Sequence, residues 1–123
     1  MESYKELVVW QKTIELVPSI YQLTATFPKA EIYGLSSQIQ RSATAIPANI
    51  AEGWGRGQTR EYMLFLRIAR GSLLELETHL IVAQKLGYLK PEKLKKFSDE
   101  TEEIGRMLNG LIASLRKKLP AKS

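Results

Sequence analysis

The fold is decided by residues 59–86, which read TREYMLFLRIARGSLLELETHLIVAQKL. Apolar side chains recur in this stretch in alternating steps of four and three residues, which places them on one side of an α-helix. Thr59 is positioned to cap the start of this helix, and Gly87 to end it. The repeat consists of Tyr62, Leu66, Ala69, Leu73, Leu76, Leu80 and Ala83, with Phe65 and Ile68 beside it.

A second helix with the same spacing is predicted over residues 91–119. Pro91 suits the first position of a helix, because the N–H that proline lacks has no partner there. The short connection over residues 87–90 brings this helix back antiparallel to the preceding one. Its apolar repeat consists of Phe97, Thr101, Ile104, Leu108, Leu111 and Leu115.

Two further helices are predicted over residues 7–26 and 33–54. Pro18 and Pro47 lie inside them, and each removes one backbone hydrogen bond, so we expect a kink at both positions. An alternative at Pro47 is a pair of short helices, with the proline opening the second one. The first helix has two adjoining apolar stripes, which predict one broad buried side. One stripe consists of Trp10, Ile14, Val17 and Tyr21, and the other of Val9, Leu16, Ile20 and Leu23. The stripe of the second is Leu35, Ile39, Ala43, Ile46 and Ile50.

These four helices define the fold class. No segment shows the two-residue alternation of a half-buried strand. The chain has 123 residues, 44% of them hydrophobic, which is enough to bury one continuous core. We therefore predict an all-α, antiparallel up-down-up-down four-helix bundle that forms a single domain over residues 1–123.

Composition narrows the class of protein. The absence of cysteine excludes disulfides, thiolate metal sites and cysteine nucleophiles. No apolar run is long enough to span a bilayer, and the amino terminus does not have the pattern of an export signal, so we expect a cytoplasmic protein without membrane contact. The formal net charge of +5 favours a polyanionic partner.

The sequence offers no defensible catalytic or metal site. His79 is the only histidine. A di-metal bundle would need paired Glu-x-x-His motifs, but Leu76 stands where the carboxylate would be. Arg70, the nearest preceding arginine, falls on a different side of the helix, which argues against an Arg–His pair acting on one phosphate. We expect no catalytic residue, no metal and no cofactor.

Residues 53–57, Gly-Trp-Gly-Arg-Gly, interrupt the helical pattern. They follow a helix rather than a strand and lack the Lys-Ser/Thr ending of a phosphate-binding loop. The simplest interpretation is a hinge between helices. A second interpretation is an exposed turn on which Trp54 stacks on a base and Arg56 binds phosphate.

Arginines recur through the second and third predicted helices. Arg60, Arg67 and Arg70 share one side of a helix because they are seven and three residues apart. This row is a candidate anion-binding strip, and the alternative is a solvated side opposite the core. The candidate nucleic-acid-binding residues are Arg41, Arg56, Arg60, Arg67, Arg70 and Trp54.

Several blocks of sequence, taken together, resemble one known family. The blocks are Leu7–Lys12, Phe27–Pro28, Tyr33–Ile39, Ile46–Gly53, Glu61–Tyr62 with Phe65–Leu66, and Gly71–Thr78. They occur in the order and at the separations found in the four-helix-bundle proteins encoded in intervening sequences of bacterial 23S rRNA genes. The resemblance covers roughly residues 4–115.

The resemblance implies a cytoplasmic bacterial bundle that assembles as a ring-like homopentamer and has no known enzymatic activity. The chain is also similar to the accessory variability proteins of diversity-generating retroelements, which bind nucleic acid and a reverse transcriptase. Relatives often carry two basic residues where this chain has Gln40-Arg41. That departure weakens the expectation of nucleic-acid binding through this helix.

The family motif places Pro47, Asn49, Glu52 and Gly53 in a structural role. Asn49 and Glu52 are expected to bind backbone groups that Pro47 leaves without partners. Two functions follow from the sequence: a homo-oligomer that binds RNA or DNA through basic side chains, or a protein-interaction scaffold whose aromatic residues make the contacts.

Overall fold

The computed structural model describes residues 2–120, which form four long helices and contain no strand. The helices are α1 (Val8–Thr24), α2 (Leu35–Gly55), α3 (Thr59–Lys85) and α4 (Pro91–Arg116). Single 3-10 turns precede α1 (Tyr4–Glu6) and α2 (Lys29–Glu31). The all-α prediction is confirmed, and every helix begins and ends within one turn of its predicted bounds.

The four helices pack side by side as a bundle. α1 contacts α2 and α4, and α3 contacts the same two helices. Gln40, early in α2, donates a hydrogen bond to Thr24 at the end of α1 (3.0 Å), whereas Trp54 at the end of α2 packs on Tyr4. Such pairs match antiparallel neighbours. The complete up-down-up-down order and the two kinks stay predictions.

The core is built from one buried stripe on each helix. On α4, Ile112 is buried (3% exposed) where the sequence pattern predicted Leu111, and on α3 Met63 is buried (3%) in place of Tyr62. Both predictions assumed a strict seven-residue repeat. A straight α-helix has 3.6 residues per turn, slightly more than this repeat assumes, which accounts for the shift from Leu111 to Ile112. The shift from Tyr62 to Met63 has the opposite sign and is not explained in this way.

Only one of the two predicted stripes of α1 is buried. Val9, Leu16, Ile20 and Leu23 lie in the core, but Ile14 and Tyr21 of the other stripe are 42% and 44% exposed. The prediction of one broad buried side is therefore wrong for α1. Among the described helices α1 packs against α2 and α4, and Ile14 and Tyr21 stay at the surface.

α2 runs through Pro47 without interruption, so the alternative of two short helices is wrong. Pro47 removes the N–H that would bind the carbonyl of Ala43. The side-chain amide of Asn49 donates to the carbonyl of Ala45 (2.8 Å) rather than to that of Ala43. Asn49 thus adds a side-chain hydrogen bond within its own helical turn and does not bind the carbonyl that Pro47 leaves without a partner.

The expected hinge at residues 53–57 is shorter than its glycine content indicates. α2 continues to Gly55, and only Gly57 adopts a positive φ, of 79°. The Thr59 cap is also wrong, because α3 begins at Thr59 and Gln58 precedes it without a capping side-chain bond. Gly87, with φ of 83°, ends α3 as predicted.

Candidate nucleic-acid interface

The long contact between α3 and α4 leaves two adjoining surface grooves, which together form the α3/α4 seam. The first groove, of about 310 Å³, is lined by Arg60, Met63, Arg67, Arg116 and Leu119. The second, of about 510 Å³, is lined by Arg70, Leu73, Leu74, Glu77, Thr101, Glu102, Gly105, Arg106 and Asn109. Arg67 and Arg70 are about one helical turn apart, so the two grooves are neighbours along α3.

The seam brings together the arginines predicted to share one side of α3. Arg60 and Arg67 line the first groove and Arg70 lines the second. α4 adds Arg106 and Arg116, which the sequence interpretation missed. Each follows a buried residue of α4 by one or two positions, so a search for cations bordering the apolar stripes of successive helices would have found them.

Positive charge is in excess along the seam, whose lining contains five arginines and two glutamates. Within residues 2–120, none of its five arginines forms a salt bridge with a carboxylate. Arg70 donates a hydrogen bond to the side-chain oxygen of Asn109 (2.8 Å). Two carboxylates, Glu77 and Glu102, line the same groove as Arg70, and Glu77 accepts a bond from the Thr101 hydroxyl (2.7 Å). The seam is therefore basic along most of its length and acidic at one end.

The floor of the seam is apolar. Leu73 is buried, whereas Leu74 beside it is 56% exposed. Gly105 stands opposite on α4, where an added Cβ would lie 3.4 Å from a methyl group of Leu73. The missing side chain keeps the second groove open between its two walls.

Arg56 is not part of the seam. Its guanidinium lies 2.7 Å from the Glu52 carboxylate and 3.8 Å from that of Glu61, and it stacks 4.8 Å above the centre of the Phe65 ring. These contacts join the end of α2 to the start of α3. They engage Arg56 within the chain and give Glu52 a structural contact across the turn.

Trp54 and Arg41 also lie away from the seam. Trp54 belongs to α2 and is half-buried, with its ring 6.1 Å from that of Tyr4 in an edge-to-face contact. It is therefore not on an exposed turn, as one interpretation of the glycine-rich stretch required. Arg41 is exposed on α2, a helix that contributes nothing to the lining of either groove.

His79, the single histidine, lies on α3. Its Nδ1 atom is buried and has no hydrogen-bond partner among the described residues. The Tyr62 hydroxyl is likewise buried without a hydrogen-bond partner among the described residues, and burial raises the pKa of Tyr62. Residues 2–120 contain no group of three or more His, Asp or Glu side chains placed to hold a metal ion.

A separate groove between α1 and α2, the α1/α2 groove, is mainly apolar. It has a volume of about 530 Å³ and contains the exposed stripe of α1, including Ile14. α3 also carries apolar side chains at the surface, among them Leu64 (52% exposed) and Leu86 (54%). The α1/α2 groove is lined by Tyr4, Trp10, Ile14, Val17, Pro18, Thr44, Pro47, Ala48 and Ala51. Within residues 2–120, no helix is apolar over a length that would cross a membrane.

Comparisons with known proteins agree with the resemblance noted in the sequence. A family model described as 23S rRNA-intervening sequence protein matches residues 5–110. A crystal structure of a protein of unknown function from the S23 ribosomal protein family of Bacteroides thetaiotaomicron is 27% identical in sequence, with a TM-score of 0.79. The match covers 86% of this chain and 96% of that one. The comparison with curated proteins gave no match.

Proposed function

Because the chain belongs to the 23S rRNA-intervening sequence protein family, we propose that it is a non-enzymatic, homo-oligomeric bundle that binds RNA or DNA through the α3/α4 seam. The observation that carries the proposal is the convergence of five arginines from two helices on one surface; they are Arg60, Arg67, Arg70, Arg106 and Arg116. The proposed location is the cytoplasm, and no cofactor is required.

The chemistry of these side chains supports a phosphate-rich partner. Guanidinium groups remain charged at every physiological pH and donate paired hydrogen bonds to phosphate oxygens. Arginines that neutralise phosphates release condensed counterions, so binding weakens as salt rises. For a single strand, five phosphate contacts correspond to a slope of about −3.5 in log affinity against log salt.

The test is a filter-binding titration with structured rRNA fragments at about 50 mM salt. We expect the double variant Arg60→Glu with Arg67→Glu to lose binding. The matched control is Lys5→Glu with Lys29→Glu, which changes the net charge equally in the two 3-10 turns, away from the seam. Absence of binding by the folded wild-type oligomer, or equal losses in both double variants, would sink the proposal.

Self-association is the second part of the proposal, with five copies as the number that the resemblance implies. The α1/α2 groove and the exposed apolar side chains of α3 are two different surfaces of one chain. A contact that joins two different surfaces is heterologous and generates a ring when its rotation closes. We therefore place a second copy of the chain in the α1/α2 groove.

A protein-interaction scaffold without nucleic-acid binding is the alternative function. The lining of the α1/α2 groove favours it, with half-buried Tyr4 and Trp10 beside exposed Ile14, since such side chains commonly anchor protein contacts. Loss of nucleic-acid binding by an intact oligomer of the Arg60→Glu with Arg67→Glu variant supports the first function. Unchanged nucleic-acid binding by that variant, or no binding by the wild type, supports the second. A reverse transcriptase is a candidate partner only by analogy with the retroelement accessory proteins.

A further inference from the structure

We propose that the α3/α4 seam accepts single-stranded nucleic acid, with phosphates on its arginines and an unstacked base against Leu73, Leu74 and Gly105. This inference rests on the proposed function and specifies its ligand. Two features of the seam carry it: cations stand on both walls, and the surface between them is apolar.

The arrangement of the cations is the first feature. Arg60, Arg67 and Arg70 stand on the α3 wall, whereas Arg106 and Arg116 stand on the α4 wall. Because α3 and α4 pack directly against each other, a strand lying along the surface groove between them meets charge from both helices.

The apolar floor is the second feature, and phosphate binding alone does not account for it. Leu74 is 56% exposed and lines the same groove as Arg70 and Arg106. Contact with a leucine does not stabilise a bound phosphate. It does stabilise the face of an unstacked base, because burial removes apolar surface from water. In a duplex the bases are stacked inside and cannot reach this floor.

The second groove also has room and a place to stack. Its volume of about 510 Å³ accommodates a base beside the Leu74 side chain. The bond from Arg70 to Asn109 (2.8 Å) orients the guanidinium, whose plane is a surface on which bases stack. Gly105 keeps the cleft open, because any larger residue would project a side chain toward Leu73.

The length and the ends of the seam set the size of the ligand. Arg60 and Arg70 are about 15 Å apart along the axis of α3, at 1.5 Å per residue. Beyond Arg70 the groove continues to Glu77 and Glu102, which repel phosphate. The site therefore holds a short run of nucleotides rather than a long path along the bundle.

The test compares three labelled probes by fluorescence anisotropy at about 50 mM salt. They are a twelve-nucleotide deoxythymidine strand, the same strand paired with its complement, and a twelve-phosphate abasic strand. We expect the single strand to bind about tenfold more tightly than either of the others, a difference of about 1.4 kcal/mol. Equal affinity for all three probes, or tighter binding of the duplex, overturns the inference but leaves the proposed function standing. Absence of binding by every probe overturns the inference, whereas the proposed function is overturned only if the structured rRNA fragments also fail to bind.

Variants of the floor separate base contacts from phosphate contacts. Leu74→Ser is expected to weaken single-strand binding severalfold and to leave abasic binding unchanged. Gly105→Leu, which fills the groove from the opposite wall, should have the same effect. The matched control is Leu64→Ser, at another exposed leucine of α3 (52%) that does not line the seam. If Leu74→Ser and Leu64→Ser behave alike, the base does not lie on Leu74.

Discussion

Gly53 is the residue that lets α2 and α3 approach each other at the end of the bundle. A Cβ added there would lie 2.6 Å from the Phe65 Cβ and 3.2 Å from the backbone oxygen of Tyr62. Neither atom belongs to the flexible end of a side chain, so the two helices must move apart. We predict that Gly53→Ala lowers the free energy of unfolding by about 1–3 kcal/mol, as overpacking usually does.

Gly55 supplies the control for this prediction, measured by urea denaturation. It is also in α2, two residues later, but an added Cβ meets nothing within 4 Å. Gly55→Ala should be neutral or stabilise by up to about 1 kcal/mol, since alanine is the better helix former. The interpretation of Gly53 is wrong if both variants change the unfolding midpoint in the same direction.

Tyr88 and Glu31 join the connections at one end of the bundle. The Tyr88 hydroxyl donates to one oxygen of Glu31 (2.9 Å), while the other oxygen accepts from the backbone N–H of Leu35 at the start of α2 (3.1 Å). The hydrogen bond to Glu31, more than desolvation or charge, raises the pKa of Tyr88 above its ordinary value of 10.0. Glu31 therefore both caps α2 and anchors Tyr88.

The raised pKa makes the contribution of this bond depend on pH. It is fully present below pH 10.0 and is lost as the pH rises through the higher pKa of the folded state. We expect Tyr88→Phe to be less stable than wild type at neutral pH, with the difference shrinking in alkaline solution. Denaturation curves across this range test it; a difference that grows with pH would contradict the sign.

At the scale of elements, the sequence predicted the helices better than their buried sides. Pro91, Gly87 and the glycine-rich stretch mark helix ends through local chemistry, which acts within a few residues. Burial depends on neighbours, so the α1 stripe containing Ile14 and Tyr21 was wrongly assigned to the core. A sequence does not distinguish apolar residues that fill a core from those that line a surface groove.

The glycines inside α3 and α4 provide a prediction about helix stability. Gly71 and Gly110 lie within these helices, and a Cβ at either one meets nothing within 4 Å. Alanine at either position should therefore raise the free energy of unfolding by about 0.5–1 kcal/mol. Gly87→Ala is the opposing control: its φ of 83° is in the left-handed region, so we expect a loss of about 1–2 kcal/mol. Thermal unfolding would contradict this account if all three variants shifted alike.

At the scale of the whole molecule, three of the five arginines of the seam were within reach of the sequence. The spacing of Arg60, Arg67 and Arg70 placed them on one side of a helix without any knowledge of the fold. Arg106 and Arg116 joined them only once α4 was known to pack against α3. Trp54 and Arg56, by contrast, looked available in a glycine-rich stretch but are engaged by Tyr4 and by Glu52.

Self-association gives the last prediction, because it concerns a surface that no single helix defines. Ala48 is exposed and lines the α1/α2 groove, so a glutamate there would place a charge where a second copy is proposed to pack. We expect Ala48→Glu to reduce the mass measured by light scattering to that of one chain. Gln38→Glu, at an exposed position of α2 outside the groove, adds the same charge and should leave the oligomer intact.

Thermal unfolding adds a second readout to this experiment. Association of folded chains stabilises them by mass action, so the Tm of the wild type should rise with protein concentration. The Tm of Ala48→Glu should be lower and independent of protein concentration, because a chain that does not associate is not stabilised by other copies. If Ala48→Glu keeps the wild-type mass and the same dependence of Tm on concentration, the copies do not meet through the α1/α2 groove. The exposed apolar residues of α3, such as Leu64 and Leu86, would then pack against another surface.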